Sequence, residues 1–191
     1  MPKKEPPTLI PLVGKFSYTV ALTPGNELDV WLYEGKTKVG RITMAPMQRV
    51  RGFCSDLLRK LGAPIEAVRG PYVRIPARVW CAVDTMVSPA KRGKGYGRFL
   101  YEVGMWVAYH APMYDYVEER ELPPGPYYFL PDECGLSAQT SPEARRVWTS
   151  LRRDWPAAYG VVMNTLMFRE VEVTVIGVDR EPVLHPPARK V

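Results

Sequence analysis

Gly93, Gly95 and Gly97 alternate with Lys94 and Tyr96 in the run Val87-Ser-Pro-Ala-Lys-Arg-Gly-Lys-Gly-Tyr-Gly97, with Lys91, Arg92 and Arg98 close by. Glycine costs stability inside regular structure, so three in so short a run point to positive φ or to a ligand lying against bare backbone. An apolar stretch precedes the run and an amphipathic one follows it, which puts these amides where a helix starts. Helix starts carry unpaired N–H donors and about half a unit of positive charge. Donors, dipole and neighbouring cations together are chemistry for holding phosphate. Two other phosphate loops are excluded by spacing. GxxxxGK followed by Ser or Thr is absent, and GxGxG is not the GxGxxG of dinucleotide folds.

The elements that must position this loop are legible on both sides. Tyr72 to Val87 is rich in β-branched and aromatic residues and predicts a strand, broken or bent at Pro76. Gly97 to His110 sets Phe99, Leu100, Val103, Met105, Trp106, Val107 and Tyr109 on a broad helical face, which Ala111-Pro112 ends. The order is strand, basic glycine loop, helix.

In these residues the chain resembles the acetyl-CoA-binding motif of the GNAT acyltransferase superfamily. The family's loop reads Gln or Arg, two residues, Gly, one residue, then Gly or Ala. Arg92-Gly93-Lys94-Gly95-Tyr96-Gly97 follows it, and Val87-x-Pro89 and Phe99-Leu100 suit its surroundings. The match covers about residues 78–110. It implies an α/β (α+β) fold of the GNAT type, a mixed central sheet of about six to seven strands flanked by three to four helices. It also implies acetyl-CoA as co-substrate, with Arg92, Gly93, Lys94, Gly95, Tyr96, Gly97 and Arg98 around the pyrophosphate. Met86 and Val87 would bond the pantetheine arm where two parallel strands splay, and no metal is called for.

The remaining pattern fits that order. Phe16 to Leu22, Leu28 to Tyr33 and Lys38 to Met44 predict an antiparallel meander. Arg49 to Leu61 has helical spacing through Val50, Phe53, Leu57, Leu58 and Leu61 and stops at Gly62. Tyr127 to Leu130 predicts the parallel partner of the long strand. Ser141-Pro142-Glu143 opens a helix that runs to about Asp154. Tyr159 to Phe168 and Val171 to Val178 predict a closing hairpin. Prolines bound the expected domain of residues 15–180, with a loose Pro/Lys-rich arm over 1–14 and a basic Pro-rich tail over 181–191.

A second family motif, Asn-x-x-Ala-x-x-apolar-Tyr, is met only in frame by Ser141-Pro-Glu-Ala144-Arg-Arg-Val147-Trp148. The family's tyrosine acts as general acid to the CoA thiolate. An indole N–H cannot surrender a proton at useful pH, so Trp148 is read as core packing. The glutamate some members use as base falls at Cys81, whose apolar strand context argues for an inert thiol. The candidate bases are therefore Asp84 and Asp132, with Glu133 nearby. Tyr127, Tyr128 and Tyr96 are candidate hydroxyls.

The implied activity is N-acetyl transfer from acetyl-CoA to a primary amine of a protein, a small amine or a modified nucleobase. The missing tyrosine leaves an alternative, a catalytically degenerate member that binds CoA or contacts protein or nucleic acid. The 191 residues carry 26 Lys and Arg against 20 Asp and Glu, a net charge of +6. Arg145, Arg146, Arg152 and Arg153 concentrate part of that excess, yet no nucleic-acid module is legible. The acidic insert Ala111 to Pro126 offers a wall for a cationic amine. Three cysteines without a CxxC pair, and two histidines, argue for a reduced cytoplasmic setting and against zinc. No membrane segment is expected, and a homodimer is left open.

Overall fold

Apolar residues recur at every second position from Phe16 onward, and in the computed structural model these runs are neighbouring strands of one sheet. The structure describes residues 8–23, 26–47, 49–51, 66–67, 72–74, 78–115, 119–131, 140–155, 158–164 and 170–188. β1 (Ile10–Pro11) forms a two-residue edge beside β2 (Phe16–Leu22), followed by β3 (Leu28–Glu34) and β4 (Thr37–Pro46) as an antiparallel meander. β5 (Arg49–Arg51), β6 (Glu66–Ala67) and β7 (Tyr72–Arg74) make a separate small sheet in the order β5-β7-β6.

β8 (Val79–Val87) returns the chain to the main sheet, a short 3-10 turn over Pro89–Lys91 follows, and α1 (Tyr96–His110) lies on the sheet. β9 (Met113–Asp115) and β10 (Arg120–Leu122) are a hairpin within the acidic insert. β11 (Tyr127–Pro131), α2 (Pro142–Asp154), β12 (Ala158–Asn164) and β13 (Glu170–Val178) complete the chain's regular elements. The main sheet runs β1-β2-β3-β4-β8-β11-β13-β12. β8 and β11 are its parallel pair, and its other neighbours are antiparallel. The fold is thus α+β, with seven strands of five to ten residues in a mixed sheet besides the short edge.

Two sequence expectations change. Among the described residues there are two α-helices rather than three to four. Where a helix was expected over Arg49–Leu61, Arg49–Arg51 pairs with Arg74–Tyr72 as β5, because cross-strand pairing overrides an apolar spacing that a short run can satisfy in either form. Residues 52–61 lie outside the described ones. The stretch Tyr72 to Val87, expected to be broken or bent at Pro76, contains β7 and β8, which belong to different sheets, and residues 75–77 lie outside the described ones. No helix among the described residues is long and apolar enough to cross a membrane.

Trp80, Phe99, Leu100, Met105 and Phe129 are fully buried where α1 meets the sheet. Two glycines set how closely these parts approach. A Cβ on Gly104 would stand 3.0 Å from Ile42 Cδ1 and 3.2 Å from Met44 Sδ. A Cβ on Gly40 would collide with the Met86 carbonyl oxygen and press on Leu100. The far end of α1 is closed by Arg78, a buried cation that donates to Ala108 O at 2.8 Å, Ala111 O at 2.7 Å and Gly125 O. It serves the last carbonyls of the helix, where positive charge is favoured. We expect Gly40→Ala to cost about 3 kcal/mol in chemical denaturation, the upper end of overpacking, because the obstacle is backbone. A loss below about 1 kcal/mol would mean that β4 and β8 part easily.

Candidate functional site

β8 is paired along its length with β4, but on its other side the register with β11 ends at Ala82 opposite Pro131. Beyond that point no described residue pairs with Val83 to Val87 on the β11 side. The β4–β8 register also skips a residue: Met44 faces Ala82 and Thr43 faces Asp84, so Val83 is bulged. Ile42 and Met44 lie under α1, and their partners Thr85 and Ala82 share that face. Asp84 and Met86 consequently lie on the opposite face, both exposed.

From Val87 the chain turns over the end of the sheet, with Ser88 N–H donating to Val39 O at 2.8 Å. Gly93 has φ +71° and Gly95, the residue capping α1, has φ +82°. Both are left-handed conformations that glycine adopts without Cβ strain. The cap supplies no side-chain acceptor, and the first turn of α1 carries no acidic residue. Its leading amides, Tyr96, Gly97 and Arg98, thus lack both an intrahelical acceptor and a capping side chain. A Cβ on Gly93 would meet nothing within 4 Å, so this face of the loop is open.

The basic residues divide into two groups. Lys91 ion-pairs with Glu34, which also takes Lys15 and accepts from the Tyr96 hydroxyl at 2.9 Å. Arg98 is held by Glu102 at 2.9 Å, Ser150 Oγ at 2.6 Å and Asp154. Both are braces of the loop. Arg92 donates to Val87 O at 3.2 Å and Lys94 to Ala90 O at 2.9 Å, neutral acceptors that leave two positive charges for an anion. Of the residues expected around a pyrophosphate, Arg92, Gly93, Lys94, Gly95, Tyr96 and Gly97 form one continuous loop and helix start. Arg98 is turned toward α2, and the Tyr96 hydroxyl toward β3.

Asp84 is about half exposed and ion-paired with Arg41, which also stands 3.6 Å from Asp29. Asp132 and Glu133 lie outside the described residues. The expected hydroxyls are otherwise engaged: Tyr127 donates to Met105 O at 2.7 Å, and Tyr96 belongs to the Glu34 cluster. A hydroxyl that the sequence reading passed over is Tyr101. It projects from α1 toward Thr85, just past the last described β8–β11 pair, and burial raises its pKa while the Thr85 side chain opposes the rise. Trp148 packs edge-on to its ring at 5.4 Å between centroids and against Phe129, as the core reading expects. Trp148 Nε1 is buried without a hydrogen-bond partner, close to the Tyr101 hydroxyl but short of bonding geometry. The spacing of Tyr101 from the glycine loop, four residues after Gly97, was the available signal.

The chain matches no protein-family model and no curated protein sequence. The site combines an open glycine loop with two cations bonded only to carbonyl oxygens, a strand end with no described partner on its β11 side and a buried phenol beside an unbonded indole N–H. Arg145, Arg146, Arg152 and Arg153 are exposed on α2. Cys81 is buried. Among the described residues no three His, Cys, Asp or Glu side chains are grouped to hold a metal ion.

Glu34 ties the loop to β3, and its carboxyl is lowered to about 2 by hydrogen bonds from Lys15 first, then Lys91, with a smaller contribution from Tyr96. A lowered carboxyl stabilises the fold above the ordinary value of 4.5, and that contribution disappears as pH falls through about 2. Glu34→Gln should cost about 2 kcal/mol near neutral pH, the range for hydrogen bonds to a charged acceptor. Urea denaturation of both proteins should show the difference shrinking below pH 4.5. A difference that stays constant into the acid would dissociate Glu34 from the loop's stability.

Proposed function

We propose that this chain is an acyl-CoA-dependent N-acyltransferase of the GNAT type, moving an acetyl group from acetyl-CoA to a primary amine by direct transfer. The observation that carries the reading is the open loop Arg92–Gly97 at the start of α1, set at the end of β8 beyond its last described pair with β11. In this reading the amides of the first turn, with Arg92 and Lys94, bind the pyrophosphate. The strand end around Met86 and Val87 takes the pantetheine amides, with Arg92 giving up its bond to Val87 O. The thioester then lies between β8 and β11, near Thr85.

Transfer requires a neutral amine to form a C–N bond at the thioester carbon while the C–S bond breaks and sulfur departs as thiolate. Tyr101 and Trp148 would donate hydrogen bonds to that sulfur. A phenol whose pKa is raised keeps its proton, so it stabilises the developing charge as a fixed donor. The amine's proton leaves toward the opposite face, where Asp84 is the described carboxylate on β8. A cationic acceptor would compete with Arg41 for Asp84. Asp132 is retained as a second candidate base from the sequence.

The alternative, a CoA-binding or interaction protein without catalysis, is favoured by Asp84 being already paired with Arg41 and by the indole at position 148. The two readings part on turnover. We expect calorimetry to detect acetyl-CoA binding, and Gly95→Glu to weaken it by more than about tenfold, or 1.4 kcal/mol. Unchanged affinity in this variant would reduce the loop to a turn, and no binding by the parent chain would end both readings. With an amine panel, Tyr101→Phe should lower the transfer rate about 100-fold, as for loss of one charge-stabilising donor, with acetyl-CoA affinity unchanged. Binding without transfer to any amine would select the alternative.

A further inference from the structure

Beyond β13 the chain continues without regular structure over residues 179–188, and it lies along α1 rather than leaving the domain. Its partners Glu102, Trp106 and His110 fall on one stripe of the helix, spaced four residues apart, and Arg98 continues that stripe one turn earlier. Glu181 accepts from Trp106 Nε1 at 2.8 Å and stands 3.0 Å from His110 Nε2. Four residues on, His185 donates its backbone N–H to Glu102 Oε2 at 2.7 Å, with Nδ1 3.1 Å from Oε1. Glu102 is a buried carboxylate whose other partner is Arg98. Pro187 then reaches the head of the helix, its Cβ 3.8 Å from where a side chain on Gly95 would begin.

The segment therefore runs antiparallel to α1, from its last turns to the glycine that caps it. The lengths agree. The six residue steps of proline-rich extended chain from Glu181 to Pro187 span about 19 Å at 3.1 Å each. The helix rises about 16 to 22 Å between Gly95 and the Trp106–His110 turn at 1.5 Å per residue. Pro182, Pro186 and Pro187 restrict the segment to extended forms, so it gives up little freedom on docking. Arg180 anchors its start, 5.6 Å over the Trp155 ring at the end of α2. Apart from buried Pro182 and partly buried Leu184 and Pro187, what holds it is polar, and Val183 is largely exposed. Such a segment can open without unfolding the core.

We propose that residues 180–188 are a strap whose docking on α1 fixes the conformation of the glycine loop, so that strap docking and anion binding at the loop reinforce one another. Two contacts transmit the effect. Pro187 packs beside Gly95, one of the loop's two left-handed residues. Glu102 is shared between His185 and Arg98, so releasing the strap also loosens the brace in the first turn of the helix. Coupling of this kind is reciprocal: what steadies the loop must also hold the strap. The part of the proposal that concerns ligand rests on the acyl-CoA reading above, while the part that concerns the loop does not.

Hydrogen exchange read by mass spectrometry separates the two. The full chain is compared with Glu181→Ala/His185→Ala and with a chain ending at Arg180, circular dichroism confirming that each is folded. If the truncated chain does not fold, the double variant decides alone. In ligand-free protein, release is seen as faster exchange in 181–188 of the double variant. Exchange at Arg92 to Gly97 should then rise about tenfold, because the loop has lost its support. Loop exchange unchanged in a variant whose strap is released would overturn the proposal. Saturating acetyl-CoA, and separately inorganic pyrophosphate, should slow exchange in 181–188 of the full chain. Bound ligand that leaves the strap's exchange as it was would overturn the reinforcement. If neither compound binds, the acyl-CoA reading fails, and the ligand-free comparison still decides whether the strap governs the loop.

Discussion

α1 lies close against the sheet because Gly104 places no side chain between its backbone and Ile42 and Met44. A glycine inside a helix costs about 1 kcal/mol relative to alanine, so this position trades intrinsic helix preference for packing. The helix start is thereby fixed over the end of β8, where Gly40 lets Leu100 descend and lets β8 approach β4. The position of the glycine loop is a consequence of this seat. A helix standing further from the strands would carry its leading amides away from the strand end, and loop and strand could no longer address one ligand.

Charge around the loop is allocated rather than merely accumulated. Lys91 and Arg98 look equivalent to Arg92 and Lys94 in the sequence, yet each meets a poorly exposed carboxylate, Lys91 that of Glu34 on β3 and Arg98 that of Glu102 one turn further along α1. An anion offered to the loop would have to compete with those carboxylates for Lys91 and Arg98. Arg92 and Lys94, bonded only to carbonyl oxygens, exchange a neutral acceptor for a charged one, which is the stronger bond. The braces hold the backbone in place, and in the proposed reading the remaining pair would supply the attraction. Positioning and affinity would then fall to separate cations.

The loop, the two helices, the meander and the final hairpin were legible because each rests on local pattern: alternation, a helical apolar face, Ser141 ahead of Pro142, glycines at a helix start. Ser141 Oγ does accept from Ala144 N–H at 3.2 Å. What sequence could not supply depends on distant parts. Glu34 acts on Lys91 and Tyr96 across 57 and 62 residues. Glu102 meets a backbone amide 83 residues further on. Arg49 to Arg51 misled because three residues of apolar and polar alternation fit a strand and a helix equally, and only a partner strand decides. Tyr101 was hidden for a different reason. It is not among the apolar residues read for the helical face, yet the ring packs against Phe129 and Trp148, while the meaning of its hydroxyl comes from the strand beneath it.

That strand's bulge is what makes the arrangement around Tyr101 possible. Side chains alternate between sheet faces, so in an unbroken register Asp84 would follow Ala82 to the α1 face. A carboxylate would then be buried among Phe99, Leu100 and Phe129, at a cost of several kcal/mol if left charged and unpaired. One extra residue at Val83 resets the alternation. It turns Asp84 outward to Arg41 and brings Thr85 inward to the Tyr101 hydroxyl. The bulge falls directly after the last residue of β8 that pairs with β11. In the proposed reaction this puts the hydrogen-bond donors for the departing sulfur on one face of the sheet and the proton acceptor on the other, with the end of β8 between them. A single inserted residue thus solves a burial problem and sets two chemically opposed groups on either side of the same strand end.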